Sequence, residues 1–282
     1  MKTFLQEIRI EHTLFALPFA YAGAIFGAQG LPSFVQWFWI TVAVLGARTA
    51  AMAANRYLDR HIDAQNPRTA RRAVASGRLA PSVMVWATIV GLGLLIVASW
   101  QLNPLCLALV PVAAIGLLIY PLCKRFTWLV HFVLGAVDGL APLGAYIAVT
   151  GTIRAPALWL FAAVTVWVAG FDIPYAMMDV AADRANNIAS LPARFGESAG
   201  MRTFYALHAF MIVCLFAAGK SAGAGSAYAG GILYAGALWA YEVYQGRSAP
   251  DLFTLNARIF TANMAFSVIF LIATATAFIL PR

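Results

Sequence analysis

Apolar stretches of about 20 residues, the length that carries a helix across the hydrocarbon core of a bilayer, recur from one end of this 282-residue chain to the other. Read between polar breaks they give about nine spans: 12–29, 34–54, 83–101, 104–122, 127–149, 156–178, 200–219, 226–245 and 259–280. What remains between them is too short for a soluble domain. Composition agrees, with 62% hydrophobic and 11% charged residues against roughly 25% charged in soluble domains. The expected fold class is an all-α integral membrane protein, residues 1–282 forming one polytopic domain.

A formal charge of +8 invites a nucleic-acid reading, but basic residues in a membrane protein mark cytoplasmic loops and the anionic lipid face, so no nucleic-acid partner is expected. Segments 55–82, 123–126, 179–202 and 246–258 are basic, while 30–33, 102–103 and 150–155 are nearly neutral. Of nineteen Lys and Arg, only Arg154, Lys220 and Arg282 fall on the poor side. The positive-inside rule then places the N-terminus and the basic loops in the cytosol, in the inner (cytoplasmic) membrane of the cell. Lys2 and Arg9 precede the first apolar run, yet Glu7 and Glu11 suit a cleaved signal poorly, because such signals open on a basic, acid-poor segment. A retained first helix is expected. Cys106, Cys123 and Cys214 form no C-x-x-C pair, and all three read as packing residues.

Two cytoplasmic stretches, 55–82 and 172–202, share one design, an acidic helix end followed by a basic loop. Their separation of about 120 residues suggests two pseudo-repeated halves with a site between them. Asn55, Asp59 and Asp63 lie four residues apart and so share one helical face. Asp172, Tyr175, Asp179 and Asp183 repeat the pattern at steps of three or four, predicting a second row on a second helix. A single row could be a solvated helix end. Two rows, holding five of the chain's eleven acidic residues, require something to offset their mutual repulsion. Hard oxygen ligands suit magnesium, which keeps waters and substrate phosphates in its shell. Arg68, Arg71, Arg72, Arg78, Lys124, Arg125, Arg184 and Arg194 stand nearby in sequence, and guanidinium groups hold phosphate oxygens in pairs. The pattern points to a metal-bridged diphosphate.

These runs resemble the two signatures of the UbiA family of intramembrane prenyltransferases: N-x-x-x-D-x-x-x-D at 55–63, and Asp172 through Asp179 and Asp183 to Ser190-Leu-Pro-Ala-Arg-Phe-Gly196. Tyr120-Pro-Leu-Cys-Lys124-Arg125 resembles that family's middle loop, and Arg9 matches a basic residue before its first helix. The likeness runs nearly end to end. It implies nine membrane helices around a central cavity, with Asn55, Asp59, Asp63, Asp179 and Asp183 holding Mg2+ and diphosphate. It further implies phosphate roles for Arg68, Arg72, Tyr120, Lys124 and Arg125, and acceptor-side roles for Arg9 and Asp172. The first motif reads Asn55-Arg56 where the ubiquinone branch usually has Asn-Asp. With Glu11-His-Thr-Leu-Phe-Ala-Leu-Pro18 and Asn66-Pro-Arg-Thr-Ala70, that looks more like the menaquinone branch, which prenylates a dihydroxynaphthoate.

The implied reaction joins a polyprenyl diphosphate to a hydroxy-aromatic acid inside the membrane lipid, releasing pyrophosphate. Two other readings stay open at this level: a transferase of the same fold with a different acceptor, such as haem, chlorophyllide, homogentisate or a lipid ether, and a cation-coupled membrane transporter. Phe15, Phe19, Tyr21 and Trp167 read as lipid-facing packing. His12, His61, His131 and His208 lack metal-ligand spacing. Asp138, alone in an apolar span, is either functional or hydrogen-bonded between helices.

Overall fold

The computed structural model describes residues 2–8 and 13–279, and among them the regular structure is entirely helical. A six-residue α1 (Lys2–Glu7) precedes α2 (Thr13–Ala28), α3 (Phe34–Gln65), α4 (Pro81–Leu102), α5 (Pro104–Cys123) and α6 (Val130–Thr150). Then follow α7 (Ala155–Met177), two short helices α8 (Val180–Ala185) and α9 (Leu191–Phe195), and finally α10 (Glu197–Ala222), α11 (Ala227–Ser248) and α12 (Leu252–Ile279).

Helix boundaries follow local chemistry. Ser33 and Gln36 close a capping box at the start of α3, while Pro81 and Pro104 open α4 and α5 at the first turn, where a missing N–H leaves no bond unmade. The Asn103 side chain caps α5 through the Cys106 N–H at 2.9 Å and donates across to the Ile147 carbonyl at 2.8 Å. Gly151 ends α6 at φ 64°, a left-handed conformation that favours glycine.

Each expected span corresponds to a helix. Seven of them, α3 to α7, α10 and α12, are long and apolar enough to cross a membrane. The other two expected spans are α2, with 16 residues, and α11, which carries the buried Glu242. The protein is a multi-span membrane protein. One boundary moves furthest: α3 runs on to Gln65 rather than ending at residue 54, and its 32 residues reach about 48 Å, well beyond the roughly 30 Å hydrocarbon core. Its last turns carry Asn55, Asp59 and Asp63, the first acid row.

Small residues let the helices approach closely. A Cβ on Gly46 of α3 would meet the Gly91 carbonyl of α4 at 2.7 Å, and one on Gly91 would meet the Gly46 carbonyl at 2.6 Å. Gly139 of α6 similarly faces Phe161 and Thr165 of α7, the close packing by which membrane helices gain dispersion energy without a hydrophobic driving force. Phe19 and Trp167 are 1% and 2% exposed and belong to the main core cluster with Phe266 and Phe270. The lipid-facing expectation for these two is thus corrected: lipid and protein interior select the same apolar side chains.

A closed polar ring ties α7, α10, α11 and α12 together inside this core. Trp167 Nε1 donates to Asn263 Oδ1 at 2.6 Å, Asn263 Nδ2 donates to Glu242 Oε1 at 2.8 Å, Glu242 Oε2 lies 2.7 Å from His208 Nδ1, and His208 Nε2 reaches the Trp167 carbonyl at 3.0 Å. A carbonyl only accepts, so Nε2 carries a proton. One further proton lies between Nδ1 and the carboxyl group, and every member is then satisfied.

Candidate active site

The extended end of α3 presents Asn55, Asp59 and Asp63 one turn apart, and Asp59 and Asp63 are buried. Each finds a cation. Lys124, the C-cap residue of α5, places Nζ 2.6 Å from Asp59 Oδ2, to which Asn55 Nδ2 also donates at 3.1 Å. Arg72 Nη1 donates to both oxygens of Asp63 at 2.8 Å.

The second acid row is not carried on one helix as expected. α7 stops at Met177, so Asp172 stays on α7, Asp179 falls at the N-cap position of α8, and Asp183 lies within α8. The break turns Asp179 towards the first half. Arg68 donates through Nε to Asp179 Oδ1 at 2.8 Å and through Nη2 to Oδ2, while its Nη1 donates to the Tyr175 hydroxyl at 2.7 Å. Asn66 Nδ2 adds a bond to Asp179 Oδ1 at 2.8 Å. Burial opposes the Arg68 charge, but its bonds to Asp179 and Tyr175 hold the guanidinium pKa above its ordinary value. Asp183 accepts from Ser190 Oγ at 2.8 Å. Burial, reinforced by the negative charge of Asp179, pushes its carboxyl pKa up against the opposing pull of Ser190 and Lys124.

Residues from both halves thus meet at one end of the bundle. Lys124 joins them a second way: while its ammonium holds Asp59, its carbonyl accepts from the Ala189 N–H at 2.6 Å, beside Ser190. Arg125 lies at the margin, donating to the Leu58 carbonyl at 2.8 Å and standing 3.9 Å from Asp59. Tyr120 is buried in the cluster that packs α3, α4 and α5 together. Arg78 and Arg184 turn to backbone carbonyls of Arg71 and Ala193 instead of the acids. Arg9 lies outside the described residues.

The donor set suits a hard divalent cation: four carboxylates and a carboxamide offer only oxygen ligands, and Asp59 Oδ1 is buried without a hydrogen-bond partner. Among the described residues no three His, Cys, Asp or Glu side chains converge on one point. Asp59, Asp63 and Asp179 are instead each paired with a cation.

Two polar side chains outside the acid rows were given no role by the sequence. A cavity of about 310 Å³ lies among α2 to α6, walled by apolar residues such as Ile40, Leu95 and Val110, and its charged groups are Arg48 and Asp138. Arg48 Nη1 donates to Asp138 Oδ1 at 3.5 Å, and Arg48 Nε is buried with no partner. Seven residues before Asn55 on the same helix, Arg48 stands about 10 Å deeper in the bundle. The second is His131 on α6. The Leu191 N–H donates to its Nε2 at 3.2 Å, so Nδ1 carries the proton and donates to Asp172 Oδ2 at 2.7 Å. His131 and Asp138 stand seven apart on one apolar helix, but their partners Asp172 and Arg48 lie on other helices, which the sequence alone does not reveal.

Comparison with known proteins agrees with this architecture. The family model described as "UbiA prenyltransferase family" matches residues 16–266. A 4-hydroxybenzoate octaprenyltransferase from Shewanella pealeana is 34% identical over 239 residues, covering 81% of this chain and 80% of that protein. Another so named, from Alkalilimnicola ehrlichii, is 34% identical over 78% of this chain and 75% of its own length. Among solved structures, a UbiA homologue from Aeropyrum pernix K1 superposes with TM-score 0.82 at 30% identity, covering 94% of this chain and 97% of that one. A homologue from Archaeoglobus fulgidus bound to GPP and Mg2+ has the same fold at TM-score 0.69 and 16% identity, covering 97% of this chain and 99% of that one.

Proposed function

The chain belongs to the UbiA prenyltransferase family, and from that premise we propose that it transfers a polyprenyl group from an isoprenyl diphosphate to the ring of a hydroxy-aromatic acid, with Mg2+, in quinone biosynthesis. The observation that carries this reading is the junction of both acid rows with basic side chains at one end of the bundle, above a mostly apolar cavity. Membership of a prenyltransferase family removes the transporter alternative. The protein is placed in the inner membrane with the acid rows towards the cytosol, supported by the distribution of Lys and Arg.

Asn55, Asp59, Asp63, Asp179 and Asp183 would hold the magnesium. When bound, the metal supplies Lewis-acid neutralisation of charge on the diphosphate oxygens. Lys124, Arg68 and Arg72, released from their carboxylate partners, bind the diphosphate and stabilise the charge it gains as the C–O bond to the prenyl carbon breaks. Tyr120 and Arg125 support the same end. The prenyl tail lies in the cavity, which excludes water and so protects the allylic cation from hydrolysis.

Attack by the aromatic ring forms the new C–C bond, and the ring proton leaves to a base. Asp172, oriented by His131 at 2.7 Å, takes that proton or engages the acceptor hydroxyl. Arg48 binds the acceptor carboxylate through its unpartnered Nε and the adjacent Nη; Arg9 is the other acceptor-side candidate from sequence. The named relatives support 4-hydroxybenzoate as acceptor. The Asn55-Arg56 motif and the Asn66–Ala70 run support 1,4-dihydroxy-6-naphthoate.

Purified protein should be offered both acids with several isoprenyl diphosphates and Mg2+, and the products identified by mass spectrometry. A prenylated acid plus pyrophosphate, absent in Asp59→Ala and Asp179→Ala, is the expected result. Equal product from those variants would remove the site.

A further inference from the structure

The departure Asn55-Arg56 in the first motif has a structural partner 49 residues earlier in the chain, Glu7 of α1. Arg56 is only 6% exposed and Glu7 only 7%. Arg56 donates through Nε to the Glu7 main-chain carbonyl at 3.0 Å and through Nη1 to Asn55 Oδ1 at 3.0 Å, and its Nε lies 3.8 Å from Glu7 Oε1. The Glu7 carboxylate in turn accepts from the Ala73 N–H at 2.8 Å and the Val74 N–H at 3.5 Å.

Ala73 and Val74 belong to the 66–80 loop that carries Arg68 and Arg72. α1 therefore grips that loop and the first motif at the same time. Apolar contacts strengthen the grip, since Phe4 and Ile8 pack with Val74, Leu79, Ala53 and Met84. Arg56 has only donors, so the Asn55 carbonyl oxygen is drawn to it and the Asn55 amide is left facing Asp59. An aspartate at position 56 would place a second acid against Glu7 and could make none of these bonds.

We infer that Glu7 and Arg56 are positioning residues, a latch through which α1 sets both the orientation of Asn55 and the conformation of the loop presenting Arg68 and Arg72. The inference rests on the reading of those residues as the diphosphate side of the site. It makes α1 part of the diphosphate-binding apparatus and independent of the acceptor side.

The test compares wild type, Glu7→Gln and Glu7→Ala as full-length protein in detergent, with Asp59→Ala as control. Glu7→Ala removes both carboxylate acceptors, and the loss of one charge-assisted bond corresponds to about a tenfold rise in KM for the isoprenyl diphosphate. The acceptor KM should stay within about twofold. Glu7→Gln keeps one acceptor oxygen and should fall between. Hydrogen exchange supplies a readout free of catalysis: the Ala73 and Val74 amides should lose protection in Glu7→Ala while amides in the middle of α6 keep theirs. A wild-type diphosphate KM in Glu7→Ala, with Asp59→Ala inactive, overturns the latch, as does unchanged exchange at Ala73 and Val74. If Asp59→Ala is itself active, the diphosphate reading fails instead, and exchange alone decides whether α1 orders the loop.

Discussion

Arg68 holds Asp179 through one two-pronged edge of its guanidinium, Nε on Oδ1 at 2.8 Å and Nη2 on Oδ2, across 111 residues of sequence. A fork of this kind fixes direction as well as charge, which an ammonium cannot do. Arg68→Lys should therefore keep the charge yet raise the diphosphate KM about tenfold, and Arg68→Ala about a hundredfold, on the roughly 1.5–3 kcal/mol of a hydrogen bond to a charged group. Steady-state kinetics with the diphosphate varied checks this. Full activity in Arg68→Ala would detach the residue from substrate.

Arg48 and Asp138 face each other at 3.5 Å in the cavity wall, and the Arg48 Nε has no partner. If the acceptor carboxylate docks there, Arg48→Gln should raise the acceptor KM about 10- to 100-fold and leave the diphosphate KM near wild type. A neutral acceptor analogue lacking the carboxylate should show no such difference between the two proteins. An equal loss for both analogues would mean that Arg48 supports the helices rather than the ligand.

Asp183 binds its proton more tightly in the folded protein than in the unfolded chain, because burial comes first and Asp179 adds to it. That contribution to the metal-free protein's stability is fully present below the ordinary carboxylate range and is lost as pH rises through the raised value. Mg2+ requires the ionised form, so the sign is opposite for binding. The half-saturating Mg2+ concentration should climb as pH falls through the raised value, above the pH of about 3.9 at which an ordinary aspartate titrates. Asp183→Asn should weaken Mg2+ binding throughout and flatten this slope. A titration series in which variant and wild type run parallel would refute it.

The helices and both acid rows were legible because their signals are local: apolar length for a span, four-residue spacing for a face. Pairings across the fold were not. Arg48 sits in the middle of an apolar span, and its partner Asp138 is 90 residues away, so neither predicts the other. The break after Met177 that turns Asp179 to Arg68 lies one turn past Pro174, within a run whose spacing reads as unbroken helix. Trp167 and Phe19 were misplaced because apolar character does not distinguish lipid from core. Arg56 was visible as a departure from the family's first motif, but its reason, Glu7, appears only once α1 folds back on the loop.

The ring of Trp167, Asn263, Glu242 and His208 allows a prediction of opposite outcomes at one position. Removing one partner of a buried, hydrogen-bonded His–Glu pair strands the other and costs about 3–5 kcal/mol, which Glu242→Ala should show as a large loss of thermal stability in detergent. Glu242→Gln is different. Its carbonyl oxygen accepts from Asn263 Nδ2, its amide donates to His208 Nδ1, and His208 Nε2 still donates to the Trp167 carbonyl, so the same circuit closes without a charge. Bonds between membrane helices are individually worth only about 0.6 kcal/mol, and the neutral ring should therefore unfold within about 1 kcal/mol of wild type. Substrate KM values should not move, since the ring touches neither acid row. A Gln variant as unstable as the Ala variant would show that the ring needs the carboxyl group itself, and the satisfied-bond account of these helices would be wrong.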